Sequence, residues 1–286
     1  MDYVTLSNGV KMPQLGYGVY QIAREDCERC VLDALEVGYR SIDTAQTYFN
    51  EAEVGRAVER SGIPRRDVFI TTKIWLEHYG EEATRESVFA SLEKLRTDYI
   101  DLVLLHQPYG DAYSAWRALE RLYEERVIRA IGISNFDPVR MVEFASFNRI
   151  RPMVNQIETH PHNQQVEAMK WMEKYNIQIE AWAPFGEGRS GLFDDPVLAV
   201  IARRYGKTPA QVMLRWNLQR GVVVIPKSVH VERMRENFNV FDFALDDADM
   251  AAIAQMDRKQ ILFLPRHDPA TVEWFVRMIK ERHGRA

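Results

Sequence analysis

The sequence predicts a single closed barrel of alternating strands and helices, a (β/α)8 or TIM barrel. Eight short apolar segments alternate with helix-like segments, and neither a linker nor a change of composition divides the chain. A barrel of this kind takes about 250 residues, which suits a chain of 286. The structural alternative is an open doubly wound sheet, which would need fewer strands per domain and a domain boundary. We therefore expect one domain over residues 1–286.

The chain begins with a predicted β-hairpin. Asn8-Gly9 lies between two short alternating segments, and this dipeptide strongly favours a two-residue hairpin turn. We expect residues 1–13 to cap one end of the barrel and residues 259–286 to form a C-terminal tail. The segment from Gly16 to Gln21 resembles the start of a dinucleotide fingerprint. A Rossmann phosphate loop is not supported, because Gln21 occupies the position of the third glycine.

The eight predicted strands are short and are each followed by a polar turn. They are Leu15–Gly18, Ser41–Asp43, Val68–Ile74, Ile100–Leu105, Ala130–Ser134, Met153–Glu158, Ile177–Ala183 and Val222–Ile225. Three of the helices between them have clear starts, because a capping residue precedes a proline in Asp137-Pro138, Asp195-Pro196 and Thr208-Pro209. This repeated pattern is what favours a parallel barrel.

Composition excludes several classes of protein. With 46% apolar residues and a net charge of -4, the chain is typical of a soluble globular protein with no general attraction to nucleic acid. We find no signal peptide and no apolar run long enough to span a membrane, so we expect a cytoplasmic protein. Cys27 and Cys30 form a CxxC pair, but the pair lies inside a predicted helix without a preceding strand. We interpret both as helix cysteines without a catalytic role.

Groups suited to proton transfer follow three successive strands. Asp43 ends the second strand and Tyr48 follows it, Lys73 lies near the end of the third, and His106 directly follows the fourth. Because all strands of such a barrel are parallel, their carboxyl ends share one face, where catalytic residues lie. Taken singly, Asp43 and Lys73 could form a structural ion pair, Tyr48 could start a helix, and His106 could be a core histidine. Their recurrence at strand ends favours an active site.

Several motifs resemble those of the aldo-keto reductases. They are Asp43–Gly55, Gly132–Phe136, Asn155-Gln156 and Ile225–Ser228. The match runs from the Asn8-Gly9 hairpin to about Asp257. Ala181–Pro184 and Glu236–Asp242 are similar to the bacterial branch that contains the 2,5-diketo-gluconate reductases.

The resemblance implies a role for each residue of the tetrad. Tyr48 would protonate the carbonyl oxygen as hydride arrives, and Lys73 would lower the pKa of Tyr48. Asp43 would pair with Lys73, and His106 would orient the carbonyl. Physical chemistry supports this division, because a tyrosine that titrates near about 10 is a weak acid at neutral pH unless a nearby ammonium stabilises its anion.

The resemblance also implies NADPH as the cofactor, in preference to NADH. Ser134, Asn135 and Gln156 would bind the nicotinamide carboxamide, and Trp182 would stack on the nicotinamide ring. The 2′-phosphate would be bound by Lys227, Ser228 and Arg233. The adenine end would be contacted by Glu236 and Asn237. Outside this resemblance, the basic residues could be a solvated helix start.

Substrate contacts depend on loops and on the tail. Tyr20, Trp75 and Tyr109 would form an aromatic pocket, or could be rim residues. Gln107 follows His106 where many relatives carry an aromatic residue, which leaves the polarity of the pocket open. The tail would cover the substrate mouth or pack against the barrel wall. We expect no metal site, because the histidines at 160, 162 and 267 lack acidic or cysteine partners at ligand spacing.

The leading hypothesis is therefore a monomeric, NADPH-dependent reductase of aldehydes and ketones. Its substrate would be a small dicarbonyl, a keto-sugar acid or an aromatic aldehyde. Two alternatives remain: a non-catalytic NADPH-binding sensor or partner protein, and an aldolase that forms a Schiff base on Lys73. The intact tetrad argues against the first, and the phosphate-binding motif argues against the second.

Overall fold

A computed structural model describes residues 2–283 of the chain. The predicted hairpin is present, with antiparallel strands β1 (Tyr3–Thr5) and β2 (Lys11–Pro13). Gly9 takes a left-handed φ of +86° at the turn, as a tight hairpin turn requires. The Asn8 side chain donates a hydrogen bond of 2.9 Å to the carbonyl of Arg129, just ahead of a barrel strand. The hairpin therefore lies at the amino-terminal end of the strands.

The eight predicted strands are confirmed, some with shorter ends. They are β3 (Tyr17–Gly18), β4 (Ser41–Asp43), β5 (Phe69–Ile74), β6 (Leu102–Leu105), β7 (Ile131–Ser134), β8 (Val154–Glu158), β9 (Gln178–Trp182) and β10 (Val223–Val224). Each is parallel to the next in chain order, from β3 to β10. A parallel bridge between Leu15 and Val224 joins the two edges, so the sheet curls and closes. This topology is consistent with the predicted barrel.

Eleven α-helices are present within residues 2–283. They are α1 (Arg24–Val37), α2 (Glu51–Arg60), α3 (Glu81–Leu95), α4 (Ala112–Glu124), α5 (Pro138–Phe147), α6 (Val166–Tyr175), α7 (Pro196–Tyr205), α8 (Pro209–Gln219), α9 (Val231–Phe238), α10 (Asp247–Ala254) and α11 (Pro269–His283). None of these helices has the length and hydropathy needed to cross a membrane.

The three predicted capping sites begin helices as expected. Asp137, Asp195 and Thr208 each accept hydrogen bonds from backbone N–H groups of the first turn, and a proline follows each of them. Capping matters because the first N–H groups of a helix have no partner within the helix. These caps fix where α5 begins after β7, and where α7 and α8 begin after β9.

The two cysteines lie inside α1, as predicted, and both are fully buried. Burial raises the pKa of Cys27 to about 12 and also raises the pKa of Cys30. A reactive thiol needs a shift in the opposite direction, because the thiolate is the nucleophile. The geometry therefore fits two structural cysteines in a packed helix.

Candidate active site

The barrel brings Asp43, Lys73 and Tyr48 into direct contact. Lys73 lies in β5, is fully buried, and donates to the Asp43 carboxylate at the end of β4 over 2.5 Å. The same ammonium lies 3.3 Å from the Tyr48 hydroxyl and 3.0 Å from the Thr44 carbonyl. Because β4 and β5 are paired and parallel, their carboxyl ends hold the acid and the ammonium side by side.

A short loop positions Tyr48. One turn of 3-10 helix (Gln46–Tyr48) follows β4, and Phe49 then takes a left-handed φ of +58°. The Gln46 side chain ties this turn to the end of β5, because its Oε1 accepts a hydrogen bond of 3.0 Å from the Trp75 N–H. This contact fixes the loop that carries Tyr48 to the end of the strand that carries Lys73.

Electrostatics within this cluster differ in one respect from the expectation. Burial lowers the pKa of Lys73, but the charge of Asp43 and the contact with Tyr48 raise it by more. The net pKa of Lys73 is therefore raised, and the ammonium stays charged. Burial raises the pKa of Tyr48 to about 12, Lys73 opposes that rise, and Asp43 adds to it. The influence of Lys73 has the expected sign, yet burial outweighs it. Tyr48 therefore keeps its proton at neutral pH.

His106 follows β6 and completes the cluster. Its ring lies edge-on to Tyr48, with centroids 5.7 Å apart, and edge-on to Trp75 at 5.0 Å. Burial, then the positive charges of Lys73 and Arg266, hold its pKa well below the ordinary value for histidine. Its Nδ1 is buried and has no hydrogen-bond partner among residues 2–283. The site thus holds a neutral imidazole beside a protonated phenol.

Asn135 links the predicted amide residues to the tail. It follows β7 in a left-handed conformation (φ +67°), which asparagine tolerates better than most residues. Its Nδ2 donates to the carbonyl of His106 (3.0 Å) and to the Ser134 hydroxyl (3.1 Å). Its Oδ1 accepts from Trp182 Nε1 and from Arg266, both at 3.1 Å. Four hydrogen bonds therefore fix the orientation of this amide.

Gln156 joins the amide residues to the charged pair. Its Nε2 donates to the second carboxylate oxygen of Asp43 over 2.8 Å and to Glu180 over 2.9 Å. Gln156 is buried in β8, and its backbone carbonyl accepts from Ser134 and Asn135 of β7. The Asp43 carboxylate thus has a donor on each oxygen.

Glu180 is a buried acid that sequence reasoning missed. It lies in β9 directly opposite Gln156, is fully buried, and its Oε1 has no hydrogen-bond partner in the described part of the chain. Burial and the charge of Asp43 raise its pKa to about 8, against Gln156 and Lys73, which lower it. The signal was available: Glu180 precedes Trp182 by two residues, so both side chains lie on the same face of β9.

The three predicted substrate residues lie near the tetrad. Tyr20 is half exposed, with its ring 4.8 Å from Tyr48. Trp75 and Tyr109 each lie 5.7 Å from the ring of Phe275 in α11. The Tyr109 hydroxyl donates to the carbonyl of Arg266. Phe275 and Arg266 belong to the tail and were not predicted, because nothing local in the sequence links the tail to these strands.

The predicted cofactor residues beyond β10 line one cavity of about 340 Å³. Lys227 and Arg233 are exposed there, and Ser228 is buried with its hydroxyl accepting from the His230 N–H. The cavity residues that sequence reasoning named are Lys227, Ser228, Arg233, Glu236 and Asn237. The arrangement can hold an anion, since two cations, a hydroxyl and a helix start share one concave surface.

No group of three or more histidine, cysteine or acidic side chains within residues 2–283 has the arrangement of a metal site. His160 is fully buried and contacts the Glu158 carboxylate at 3.0 Å, so it does have an acidic neighbour. His267 lies 3.8 Å from Asp137. His160 and His267, which invited a metal interpretation, therefore each lie beside a different carboxylate.

Comparison with known proteins identifies the family. The model of the Aldo/keto reductase family matches residues 6–258. The chain is 46% identical over 258 residues to 9,11-endoperoxide prostaglandin H2 reductase of Trypanosoma cruzi, covering 89% of this chain and 91% of that protein. It is 43% identical over 258 residues to methylglyoxal reductase DkgA of Escherichia coli, covering 89% and 93%.

A solved structure agrees with the fold. The aldo-keto reductase of the silkworm Bombyx mori, solved in complex with NADP, superposes with a TM-score of 0.88 at 30% identity, covering 92% of this chain and 95% of that one. The DkgA relative confirms the resemblance to the bacterial branch. The chain therefore belongs to the aldo/keto reductase family and is an oxidoreductase that reduces carbonyl groups.

Proposed function

We propose that this enzyme reduces small aldehydes and ketones to alcohols with NADPH, and that Tyr48 donates the proton. The contact that carries this proposal is the buried Asp43–Lys73 pair against the Tyr48 hydroxyl, with a neutral His106 at its edge. A protonated phenol beside a charged ammonium suits a general acid, because the ammonium stabilises the phenolate left after proton transfer. Neutral His106 can donate a hydrogen bond that orients the carbonyl oxygen.

The bound nicotinamide would supply the hydride, and the protein supplies alignment and the proton. Tyr48 would protonate the carbonyl oxygen, Lys73 would stabilise the resulting anion, and Asp43 would keep Lys73 charged. A Schiff-base aldolase would need a neutral Lys73 amine. The ion pair with Asp43 and the raised pKa of Lys73 oppose that chemistry, so we do not favour it.

NADPH is proposed over NADH because of the charge in the cavity beyond β10. Lys227, Ser228 and Arg233 would bind the 2′-phosphate, which NADH lacks. Glu236 and Asn237 would contact the adenine end. The NADP complex of the silkworm enzyme supports this class of cofactor.

The nicotinamide would lie near Trp182, with its carboxamide on Ser134, Asn135 and Gln156. Both lone pairs of Asn135 Oδ1 already accept hydrogen bonds, so a carboxamide N–H would replace the donor from Arg266 or the donor from Trp182.

We propose that residues 259–286 cover the substrate mouth. This is supported by the contact of Phe275 with Trp75 and by the hydrogen bond from Arg266 to Asn135.

The test is a carbonyl panel assayed with NADPH and NADH separately. The panel contains methylglyoxal, because relatives act on small dicarbonyls, and 4-nitrobenzaldehyde as a reactive neutral aromatic aldehyde. We expect oxidation of NADPH in preference to NADH. Tyr48→Phe is expected to lower kcat by about 10²- to 10⁴-fold, the usual contribution of a general acid.

The NADPH affinity of Tyr48→Phe, measured by fluorescence quenching, is expected to stay within about twofold of wild type, because the ring remains. Tyr3→Phe is the matched control, since Tyr3 is exposed on the hairpin. Full activity in Tyr48→Phe would refute the assigned proton donor.

A further inference from the structure

Glu180 is a buried acid that the proposed reaction does not use. It lies in β9 between Gln156 of β8 and Val223 of β10, and none of its surface is exposed. Its Oε2 accepts a hydrogen bond of 2.9 Å from Gln156 Nε2, and its Oε1 has no partner among residues 2–283. A carboxyl group that is removed from water with a single hydrogen bond is costly to bury, and it calls for an explanation.

A chain of hydrogen bonds connects Glu180 to the tetrad. The Tyr48 hydroxyl lies 3.3 Å from Lys73 Nζ, which donates to Asp43 Oδ1 over 2.5 Å. The other oxygen of Asp43 accepts from Gln156 Nε2 over 2.8 Å, and the same nitrogen donates to Glu180. Gln156 therefore bridges the two acids, and Glu180 ends the chain.

The two acids together fix the amide of Gln156. An amide nitrogen carries two hydrogens, and Asp43 accepts one of them and Glu180 the other. The reverse orientation would place the amide oxygen against the Asp43 carboxylate, acceptor against acceptor. No donor among residues 2–283 bonds to Gln156 Oε1. This oxygen is therefore left to accept a hydrogen bond from a bound molecule.

Two charged groups in the described part of the chain act on Glu180 from neighbouring strands. They are Asp43 of β4 and Lys73 of β5, whereas Gln156 and Val223 on the two flanking strands carry no charge. Burial and then the charge of Asp43 raise the pKa of Glu180 to about 8, against the influence of Gln156 and Lys73. The carboxyl of Glu180 is therefore neutral at pH 7.

Loss of this proton would change the charge around the tetrad. A second negative charge would join that of Asp43, which already raises the pKa of Tyr48. Negative charge disfavours a phenolate, so Tyr48 would become a weaker proton donor when Glu180 ionises.

We propose that Glu180 is a positioning residue of this reductase: it fixes the Gln156 amide so that Gln156 Oε1 accepts an N–H of the nicotinamide carboxamide. In its neutral form it also spares Tyr48 a second negative charge. The inference rests on the proposed function, in which Gln156 contacts that carboxamide. Preorganisation is the physical basis, because an amide already held by two hydrogen bonds loses little further freedom when the cofactor binds.

The first test compares the binding of NADP with that of its 3-acetylpyridine analogue, in which a methyl group replaces the carboxamide nitrogen. Glu180→Leu removes the acceptor and keeps a similar bulk. We expect its Kd for NADP, measured by fluorescence quenching at pH 7, to rise about 3- to 10-fold. The Kd for the analogue should change less than about twofold, because the analogue has no N–H for Gln156 Oε1. Glu180→Gln keeps an acceptor, so both of its Kd values should stay within about twofold of wild type.

The second test is the pH dependence of a single turnover. The rate of NADPH oxidation by 4-nitrobenzaldehyde is measured by stopped flow at saturating concentrations of both, across the pKa of Glu180 near 8. We expect the wild-type rate to fall about three- to fivefold as Glu180 loses its proton, since the added charge disfavours the Tyr48 phenolate. Glu180→Gln should lack this step, because it has no proton to lose.

Glu120 supplies the matched controls. It is also a buried acid, but it lies on α4, where its Oε1 accepts the Ile150 N–H. Glu120→Leu should keep the wild-type ratio of the two Kd values, and Glu120→Gln should keep the pH step. Thermal unfolding of each variant checks that its fold persists.

The outcomes separate the two proposals. An unchanged Kd for NADP in Glu180→Leu, or an equal rise for NADP and its analogue, would overturn the positioning role. A pH step retained in Glu180→Gln would also overturn the proposal, and this measurement decides alone if Glu180→Leu does not fold. In each case an active wild type leaves the reductase function intact. Absence of NADPH oxidation by the wild type with any aldehyde would instead refute the proposed function.

Discussion

The two ends of the proposed cofactor site hold positive charge in opposite environments. Lys73 is fully buried and touches Asp43 and Tyr48, whereas Lys227 and Arg233 are exposed on the wall of a cavity. The buried charge depends on its partners, since neither member of the pair could stay ionised alone without a large desolvation cost. The exposed charges remain hydrated and are screened by salt.

The buried and the exposed clusters are therefore expected to have different roles. The buried cluster shifts pKa values, as Tyr48, His106 and Glu180 show. The exposed cluster can attract a phosphate without shifting the chemistry of its neighbours. Substitutions in the first should therefore change stability and activity together, and substitutions in the second should change affinity alone.

The largest effect is expected from Lys73→Met. This change leaves Asp43 as a buried carboxylate without its cation, so we expect a loss of about 3–5 kcal/mol in the free energy of unfolding, measured with urea, and a loss of activity. Arg85→Met is the exposed counterpart, because Arg85 pairs with Glu125 at 2.9 Å and both are partly exposed. Its cost is expected to stay below about 1 kcal/mol.

The double variant Lys73→Met with Asp43→Asn checks the cause. Removing both charges is expected to restore at least half of the lost stability, because no unpaired charge stays buried. If the double variant loses as much free energy of unfolding as the two single variants together, the unpaired buried charge is not the cause of the instability of Lys73→Met.

A smaller, pH-dependent effect is expected from Glu180→Gln. Glu180 faces Asp43, Lys73 and Gln156, and its pKa is about 8 in the folded chain against 4.5 for an ordinary glutamate. Between these values the folded state holds a proton that the unfolded state has lost, so stability falls as pH rises through this window. From about pH 6 to pH 9 the wild type should lose about 3 kcal/mol more than Glu180→Gln.

Urea unfolding at both pH values measures this difference. Glu93→Gln, a change of an exposed carboxylate on α3, is expected to keep the wild-type pH slope. Equal slopes for wild type and Glu180→Gln would show that Glu180 does not carry a buried proton.

The smallest effect is expected from Arg233→Ala. We expect the Kd for NADPH to rise about 10-fold, or about 1.4 kcal/mol, with little change for NADH. Added salt should reduce the difference, because the charge is exposed. Arg235→Ala is the matched control, since Arg235 is exposed on the same helix, α9, and is absent from the cavity wall. Equal losses for both cofactors would place Arg233 away from the 2′-phosphate.

Much of the fold could be predicted because its signals are local. Each strand is a short apolar run, and Asp137, Asp195 and Thr208 mark helix starts through their own side chains. The convergence of Asp43, Lys73 and His106 also followed, since parallel strands end on one face. Asp43 and Lys73 contact each other, and His106 lies beside Tyr48, which contacts Lys73.

Three features were not predicted from the sequence. Glu180 stood in an apolar strand, but only the register opposite Gln156 shows that it approaches Asp43. Arg266 and Phe275 follow the barrel by many residues, and no periodic pattern ties them to Asn135 or Trp75. The net pKa of Tyr48 depends on burial, which outweighs the nearby ammonium.

The sequence by itself determined the strand and helix order and the family, and it supplied the four residues of the proposed tetrad, because apolar periodicity, caps and short motifs are encoded locally. Tertiary structure alone decided which charges are paired and which are left unpaired. That difference depends on distance and burial between segments far apart in the chain: Lys73 gains a counter-ion 30 residues away, whereas Arg266 reaches Asn135 without a counter-ion among residues 2–283.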